Sequence, residues 1–424
     1  MIIPTNTHML TTPDILIIGG GSAGVAAAVG AKNAGSSVVL LEKNGFPGGK
    51  ATAAYVGTVC GLYYRSENPE AKFVNHGFPE EFALELMRRS ESKPLFYKNG
   101  LHFLPYRQFD FMMLCDEYAQ KNSDSLALHT YITNAVVENN TITCVEAMVY
   151  NKLVKLYPKA VIDTSGEAIL ASIINSDILK SDQYQASAHV FLLAGIAETS
   201  EETLSLSLIR SIKKGITDRH LDTRYERISV VPGSVRNGQA LFKLGIPIDI
   251  DNNPMHISEI ELFSRKAIDD VIKFLKHHSD HFKNCWLAMI APETGVRTGP
   301  RHKGIIVLQE ADVKNSIKSN NSIARGSWPI EYWEPGKNVA MEYFNLDDYY
   351  DIQAGVLQSE MVRNLFFAGR NLSASDKAIA SARVIGTCLA TGYASGKLAA
   401  GFVKDVDQDT TVASIQQDLF YSGK

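Results

Sequence analysis

The chain has 424 residues, 45% of them hydrophobic and 21% charged, a balance that excludes general disorder and leaves material for two or three domains. Its 42 basic and 46 acidic side chains give a formal net charge of -4, so no basic field points to nucleic acid or an acidic membrane surface. Five scattered cysteines without a C-x-x-C pair argue against a disulfide framework, a zinc ribbon or a dithiol redox centre, and for a reducing, cytoplasmic setting.

The first ten residues carry no Lys or Arg and no long apolar run, so no signal peptide is expected. No stretch of 18 uncharged apolar residues follows, so no membrane span is expected. Ile15-Leu16-Ile17-Ile18 is a short apolar run that stops at a glycine cluster. An Ala-rich stretch, Gly35, and a second run, Val38-Val39-Leu40-Leu41, come next. The order reads as strand, tight turn, helix, strand: one βαβ unit. Helices are predicted over 81–89 and 109–120, and short strands over 126–161 with a hairpin turn at Asn139-Asn140. Val161-Ile162-Asp163 ends that block at Thr164-Ser165-Gly166. A helix is predicted over 200–214, and Ser258-x-x-Glu261 reads as a capping box opening another. Residues 302–333 are loop-rich. A strand returns at Leu365-Phe366-Phe367 before Ala368-Gly369, and a final Ala- and Gly-rich helix is expected over 381–403.

Gly19-x-Gly21-x-x-Gly24 lies between the first strand and its helix, with Ser22 and Ala23 inside the turn and Glu42-Lys43 closing the next strand. Gly19 permits the tight turn, Gly21 lets backbone approach a pyrophosphate, and Gly24 lets helix and strand pack closely. The helix N-terminus offers free N–H groups to phosphate, and Glu42 can accept from ribose hydroxyls. This unit binds a dinucleotide but does not choose between FAD and NAD; Glu42 disfavours a 2′-phosphate.

Two further strand-to-turn segments, at Asp163–Gly166 and Ala368-Gly369-Arg370, complete a three-part pattern. With Phe46-Pro47-Gly48-Gly49-Lys50, Pro292-Glu293-Thr294-Gly295-Val296-Arg297 and Ser381-Ala382-Arg383-Val384, the chain resembles FAD-dependent oxidoreductases with a glutathione-reductase-like FAD domain. The resemblance implies an α/β fold: a discontinuous Rossmann-like FAD-binding domain from residues 12–185 and 350–424, of glutathione-reductase or p-hydroxybenzoate-hydroxylase type. A mixed α+β substrate domain would fill residues 186–349, with residues 285–312 returning toward the flavin. It further implies that Gly19, Gly21, Ser22, Ala23 and Gly24 hold the pyrophosphate and that Glu42 and Lys43 lie at the adenosine. Gly48, Gly49, Lys50 and Ala51 would follow the diphosphate and ribityl chain, and Gly166, Gly369 and Arg370 would complete the site. The helix starting near Ser381 would aim its N-terminus at the flavin N1–C2=O edge. Neither a second glycine fingerprint, an Asp-Gly dipeptide nor an iron–sulfur cysteine pattern is present, which argues against a disulfide reductase and a simple NADPH-dependent hydroxylase.

Lys50, Arg297 and Arg383 are the candidate catalytic residues. Lys50 can sit near flavin N5 or be an ordinary solvated lysine. Arg297, with Arg301 and His302, can bind a carboxylate or hold the domains together by ion pairs. Arg383 can reach substrate or flavin, or pair with an acid. Cys60 reads as an inert buried thiol ahead of a flavin-linked one. Tyr63 and Tyr64 are proton donors or packed aromatics, and Trp328 and Trp333 a substrate pocket or a domain interface. His277, His278 and His281 read as helix C-terminal residues, and no metal is expected. The leading expectation is an enzyme moving a hydride between a substrate and flavin N5, or activating oxygen with reduced flavin, on a small molecule. The alternative is a maturation or monooxygenase factor that oxidises a side chain of a partner polypeptide; a flavin-binding regulator ranks third.

Overall fold

A computed structural model describes residues 11–181, 184–197, 199–251 and 253–421. The first ten residues, where no signal peptide is expected, lie outside the described residues. A five-stranded parallel sheet forms the base. Ile15–Ile18 pairs with Val38–Leu41 on one side and Ala160–Asp163 on the other. Ser125–Ala127 and Leu365–Phe367 complete its two edges. The three central strands are buried along their whole length, which is why they read as continuous apolar runs rather than alternating ones.

Helix Ser22–Asn33 covers one face of this sheet and crosses the last long helix, Ile385–Val403, backbone against backbone. The crossing is set by small residues. A Cβ on Gly392 would stand 2.1 Å from Ala23 O, one on Gly396 2.1 Å from Ala27 O, and one on Gly30 2.2 Å from Tyr393 O. The opposite face carries a three-stranded antiparallel sheet, Thr130–Glu138, Thr141–Val149 and Lys152–Leu156. Asn139 and Asn140, both at positive φ, make its first turn as expected.

A second layer is a four-stranded antiparallel sheet in the order Ile228–Val230, Gln239–Gly245, Ala188–Ala194, Trp286–Ile290. Phe191, Leu193, Phe242 and Leu244 point to a core shared with helices Glu201–Thr217 and Pro254–His278. The alternate residues, Val190 and Leu241, pack on the other face with Val231. Leu308, Val313, Ile323, Ala324, Ile330 and Phe344 belong to the core of the parallel-sheet layer.

Two sequence expectations are corrected. The helix expected to open at Ser258 opens four residues earlier, where Asn253 accepts from Met255 N and Pro254 takes the first turn; Ser258 is interior. The single helix expected over 381–403 is two, Asp376–Ala382 and Ile385–Val403, broken at Arg383-Val384. Ser381 is therefore buried at the end of the first, bonded to Trp328 O and Tyr350 Oη. A further helix, Gln408–Phe420, capped by Asp407, was not foreseen.

Candidate functional site

One elongated cavity of about 510 Å³ runs between the two layers. At one end lies the turn after the first strand. Gly19 sits there at φ +99°, a conformation that only glycine adopts easily, and a Cβ would stand 2.7 Å from Thr164 O. Gly24 does not line the cavity. Its Cβ would collide with Gly19 O at 1.8 Å, so it serves the helix–strand contact expected of it. Gly21 differs from both: φ is −66°, and the nearest atom to an added Cβ is Gly49 Cα at 3.7 Å. Nothing in the polypeptide demands glycine at this position, yet it faces the cavity beside Ser22 and Ala23. Helix Ser22–Asn33 has no side-chain cap, so no side chain competes with an anion for its first N–H groups.

Glu42 lines the same end. Its Oε2 accepts from Gly20 N (2.6 Å) and its Oε1 from Asn44 N (2.8 Å), which leaves each oxygen a second lone pair for a ribose hydroxyl. Burial raises its pKa against those two bonds. The Gly48-Gly49 loop docks on the turn through Gly48 N to Gly20 O at 2.8 Å. Lys50 lines the cavity with Ala51, but its Nζ is held by Glu293 Oε1 at 2.7 Å. Burial pushes its pKa down, with Glu293 opposing. Lys43 reaches Glu167 at 3.3 Å, and Arg370 donates to Val296 O at 2.5 Å. Gly166, Gly369 and Arg370 complete this side of the wall.

The convergence of the three strand ends depends on Asp163, which is fully buried. It accepts from Ser165 N and Oγ, Leu170 N, Asn371 Nδ2 and His302 Nε2, the last at 2.9 Å. Burial alone would raise its pKa, but His302 and Ser165 outweigh it and hold it low. His302 also stacks on Phe367. Arg301 donates to Ala374 O and pairs with Asp376. Of the expected Arg297, Arg301 and His302 group, only Arg297 therefore reaches the cavity; the other two fasten segments together.

At the opposite end the cavity meets Cys60, Lys243, Arg297, Glu331, Trp333 and Arg383. Glu331 accepts from both indoles, Trp328 Nε1 and Trp333 Nε1, each at 2.8 Å. Trp333 faces the cavity; Trp328 is packed away with Leu101 and Phe103. Arg297 and Lys243 lie over the Trp333 ring at 4.4 and 4.8 Å from its centroid. Burial pushes Lys243 down to about 8 and Arg297 to about 9, with neighbouring guanidinium groups adding to both effects. Burial works against the Glu331 carboxylate, yet Arg383, Trp328, Lys243 and Arg297 together hold its pKa low. Burial drives the Cys60 thiol up to about 12, so it is not a thiolate at neutral pH. The helix beginning at Ile385, also without a side-chain cap, brings Val384, Ile385 and Cys388 to this end.

Tyr63 is buried against Phe73, and Tyr64 packs edge-on to Tyr349. His278 stacks on Phe274, and among the described residues no three His, Cys, Asp or Glu side chains gather to hold a metal. Nor, among those residues, is any helix long and apolar enough to cross a membrane. Sequence reasoning missed Lys243 and Glu331. The signal for Lys243 was a lone charge in the apolar strand Gln239–Gly245.

A family model described as FAD dependent oxidoreductase matches residues 14–419. The chain belongs to that family. This flavoenzyme matches no curated protein. Among solved structures it is similar to a triple mutant of the flavin-dependent brominase Bmp2, at 12% identity over 96% of this chain and 84% of that one, with a TM-score of 0.47. It is similar to a geranylgeranyl bacteriochlorophyll reductase-like protein from Thermoplasma acidophilum at 13% identity, 96% and 83% coverage and 0.47. A flavoprotein/dehydrogenase from Cytophaga hutchinsonii follows at 15%, 96% and 83%, and 0.45. The flavoenzyme's cofactor is FAD, and the residues present suit it. The open side of Gly21 and the uncapped N–H groups of Ser22–Asn33 match a pyrophosphate, and Glu42 matches a ribose.

Proposed function

We propose that FAD lies along the cavity with its pyrophosphate at Gly21, Ser22 and Ala23, its adenosine at Glu42 and Lys43, and its ring toward Lys243, Arg297 and Arg383. The uncapped N-terminus of Ile385–Val403 would then face the negative edge of reduced flavin. When bound, FAD supplies the hydride acceptor and donor of the reaction. The chain's own residues position the substrate, shield it from water and set the charge around it. Arg297 and Arg383 touch the reacting partners in this reading, while Lys50, paired with Glu293, positions the Gly48-Gly49 loop. The reaction is hydride exchange between a carbon of a small-molecule substrate and the flavin.

The observation that carries this reading is convergence: three chain segments far apart in sequence, Gly19 with residues 21–23, residues 164–166 and residues 369–370, wall one cavity whose far end is cationic. The layers are read as a cofactor domain and a substrate domain. The core membership of residues 308–344 supports drawing their boundary near residue 300 rather than at 349. Purified protein should carry about one FAD per chain, seen by its visible absorbance. Anaerobic reduction followed by oxygen then separates the routes: slow reoxidation supports a dehydrogenase with another acceptor, fast reoxidation to hydrogen peroxide an oxidase that also takes its hydride from carbon, and incorporation of oxygen into a substrate would replace hydride exchange with oxygen activation. Protein that neither retains nor binds FAD would end the assignment of these residues.

A further inference from the structure

The charges along the cavity are unevenly balanced. Around the dinucleotide turn, Lys43, Lys50 and Arg370 are matched by Glu42, Glu167 and Glu293, and several of these are paired directly. The pyrophosphate at that end is met by helix N–H groups. At the far end, Lys243, Arg297 and Arg383 face one carboxylate, Glu331, whose two oxygens are already committed to Trp328 and Trp333. The surplus is two positive charges. Reduced flavin, which carries one negative charge at its N1 edge, offsets one of them; the other has no counter-charge among the cavity walls.

The donors at this end are also incompletely used. Arg383 Nε is buried without a hydrogen-bond partner among the described residues. Its Nη2 makes only long contacts, to Gln185 Oε1 at 3.2 Å and Glu331 O at 3.5 Å. Arg297 spends one Nη on Ala186 O and presents its plane to Trp333. Lys243 sits over the same ring, and its partner across the sheet, Val190, lines the cavity with Val231 as an apolar neighbour. Unpaired guanidinium donors beside an apolar sheet face are the chemistry that recognises a planar monoanion with an apolar body. Once the hydride has been exchanged the ligand shares the site with reduced flavin, and there a dianion would overshoot the one remaining charge.

Resting on the flavin reading above, we propose that the substrate is a monocarboxylate, its carboxylate held by Arg297, Arg383 and Lys243 and its apolar body laid against Val190, Val231 and Pro232. The test uses the flavin-loaded protein. Benzoate and hexanoate are titrated against their neutral isosteres benzamide and hexanamide, and against inorganic phosphate, by calorimetry with the flavin absorbance band as a second readout. The carboxylates should bind roughly tenfold or more tightly than the amides, the cost of one charge-assisted hydrogen bond. Arg297→Met and Lys243→Met should each remove about that factor, with affinity measured per bound flavin. Among the described residues the Lys243 side chain lies over the Trp333 ring and beside charged neighbours, so its variant tests the idea if Arg297→Met fails to fold. Equal affinity for acid and amide, tighter binding of phosphate than of either acid, or unchanged affinity in Lys243→Met would each overturn the proposal. Failure of the cofactor reading would show earlier and separately, as missing flavin before any titration.

Discussion

Replacing Gly21 by alanine separates the polypeptide's needs from the cofactor's. The backbone there, φ −66° and ψ −179°, is open to any L-residue, and the new Cβ would meet only Gly49 Cα at 3.7 Å, ordinary contact. Folding should therefore be unharmed, or gain about 0.4–1 kcal/mol from a stiffer unfolded chain. The methyl projects into the cavity beside the free N–H groups that are proposed to meet the pyrophosphate. Forcing a methyl into a packed contact costs about 1–3 kcal/mol, so FAD affinity should fall roughly 5- to 150-fold, and Gly21→Val should fall further. The assay is paired: thermal unfolding of the flavin-free protein, and FAD affinity by quenching of flavin fluorescence. Gly24→Ala is the contrast, because its Cβ collides with Gly19 O at 1.8 Å and Thr164 Oγ1 at 2.7 Å, and it should lower stability itself. A Gly21→Ala protein that folds normally and binds FAD as tightly as wild type would refute the placement of the pyrophosphate.

Cys60→Ser should keep its flavin, and the wild-type thiol should react slowly with iodoacetamide at neutral pH, since burial pushes it up to about 12; rapid alkylation would show the thiol to be activated. Asp163→Ala should lower stability by about 3–5 kcal/mol, measured by urea unfolding, because it strands His302, Asn371 and the Ser165 and Leu170 N–H groups in the interior. Carboxylate affinity should weaken as pH rises through about 8. Lys243 is pushed down by burial and by Arg297 and Arg383, against Glu331 and Cys60, so it loses its proton, and with it the attraction for an anion, on the alkaline side. The fall centred near 8 should be absent in Lys243→Met; the same midpoint and slope in both proteins would assign it elsewhere.

The cofactor end was legible because its information is local. Strand, Gly19-x-Gly21-x-x-Gly24, helix and Glu42 lie within thirty residues, and each role follows from spacing. The hairpin at Asn139-Asn140 was legible for the same reason. The helix break at Arg383-Val384 was not, because Gly386 beside it is one of several glycines in an Ala- and Gly-rich stretch and no proline marks the site. Ser258 misled because a capping box inside a helix looks like one at its start, while the true signal, Asn253-Pro254, stood just upstream. The cationic end was the least legible. Lys243 arrives by strand alternation and Glu331 by a bond to two indoles, and neither has a sequence-local motif. Arg301 and His302 look like neighbours of Arg297 in sequence, but extended backbone turns them to different partners.

The close crossing of Ser22–Asn33 with Ile385–Val403 has a consequence for biosynthesis. Ala23 and Ala27 receive Gly392 and Gly396 at backbone distance, so helix Ser22–Asn33 waits on the ribosome for helix Ile385–Val403, about 350 residues later. At about 5–20 residues per second, that wait lasts tens of seconds, during which the dinucleotide turn stands beside an uncovered apolar face. Cofactor capture by the nascent chain should therefore be late, and shortening helix Ile385–Val403 should cost the cell folded protein before it costs catalysis.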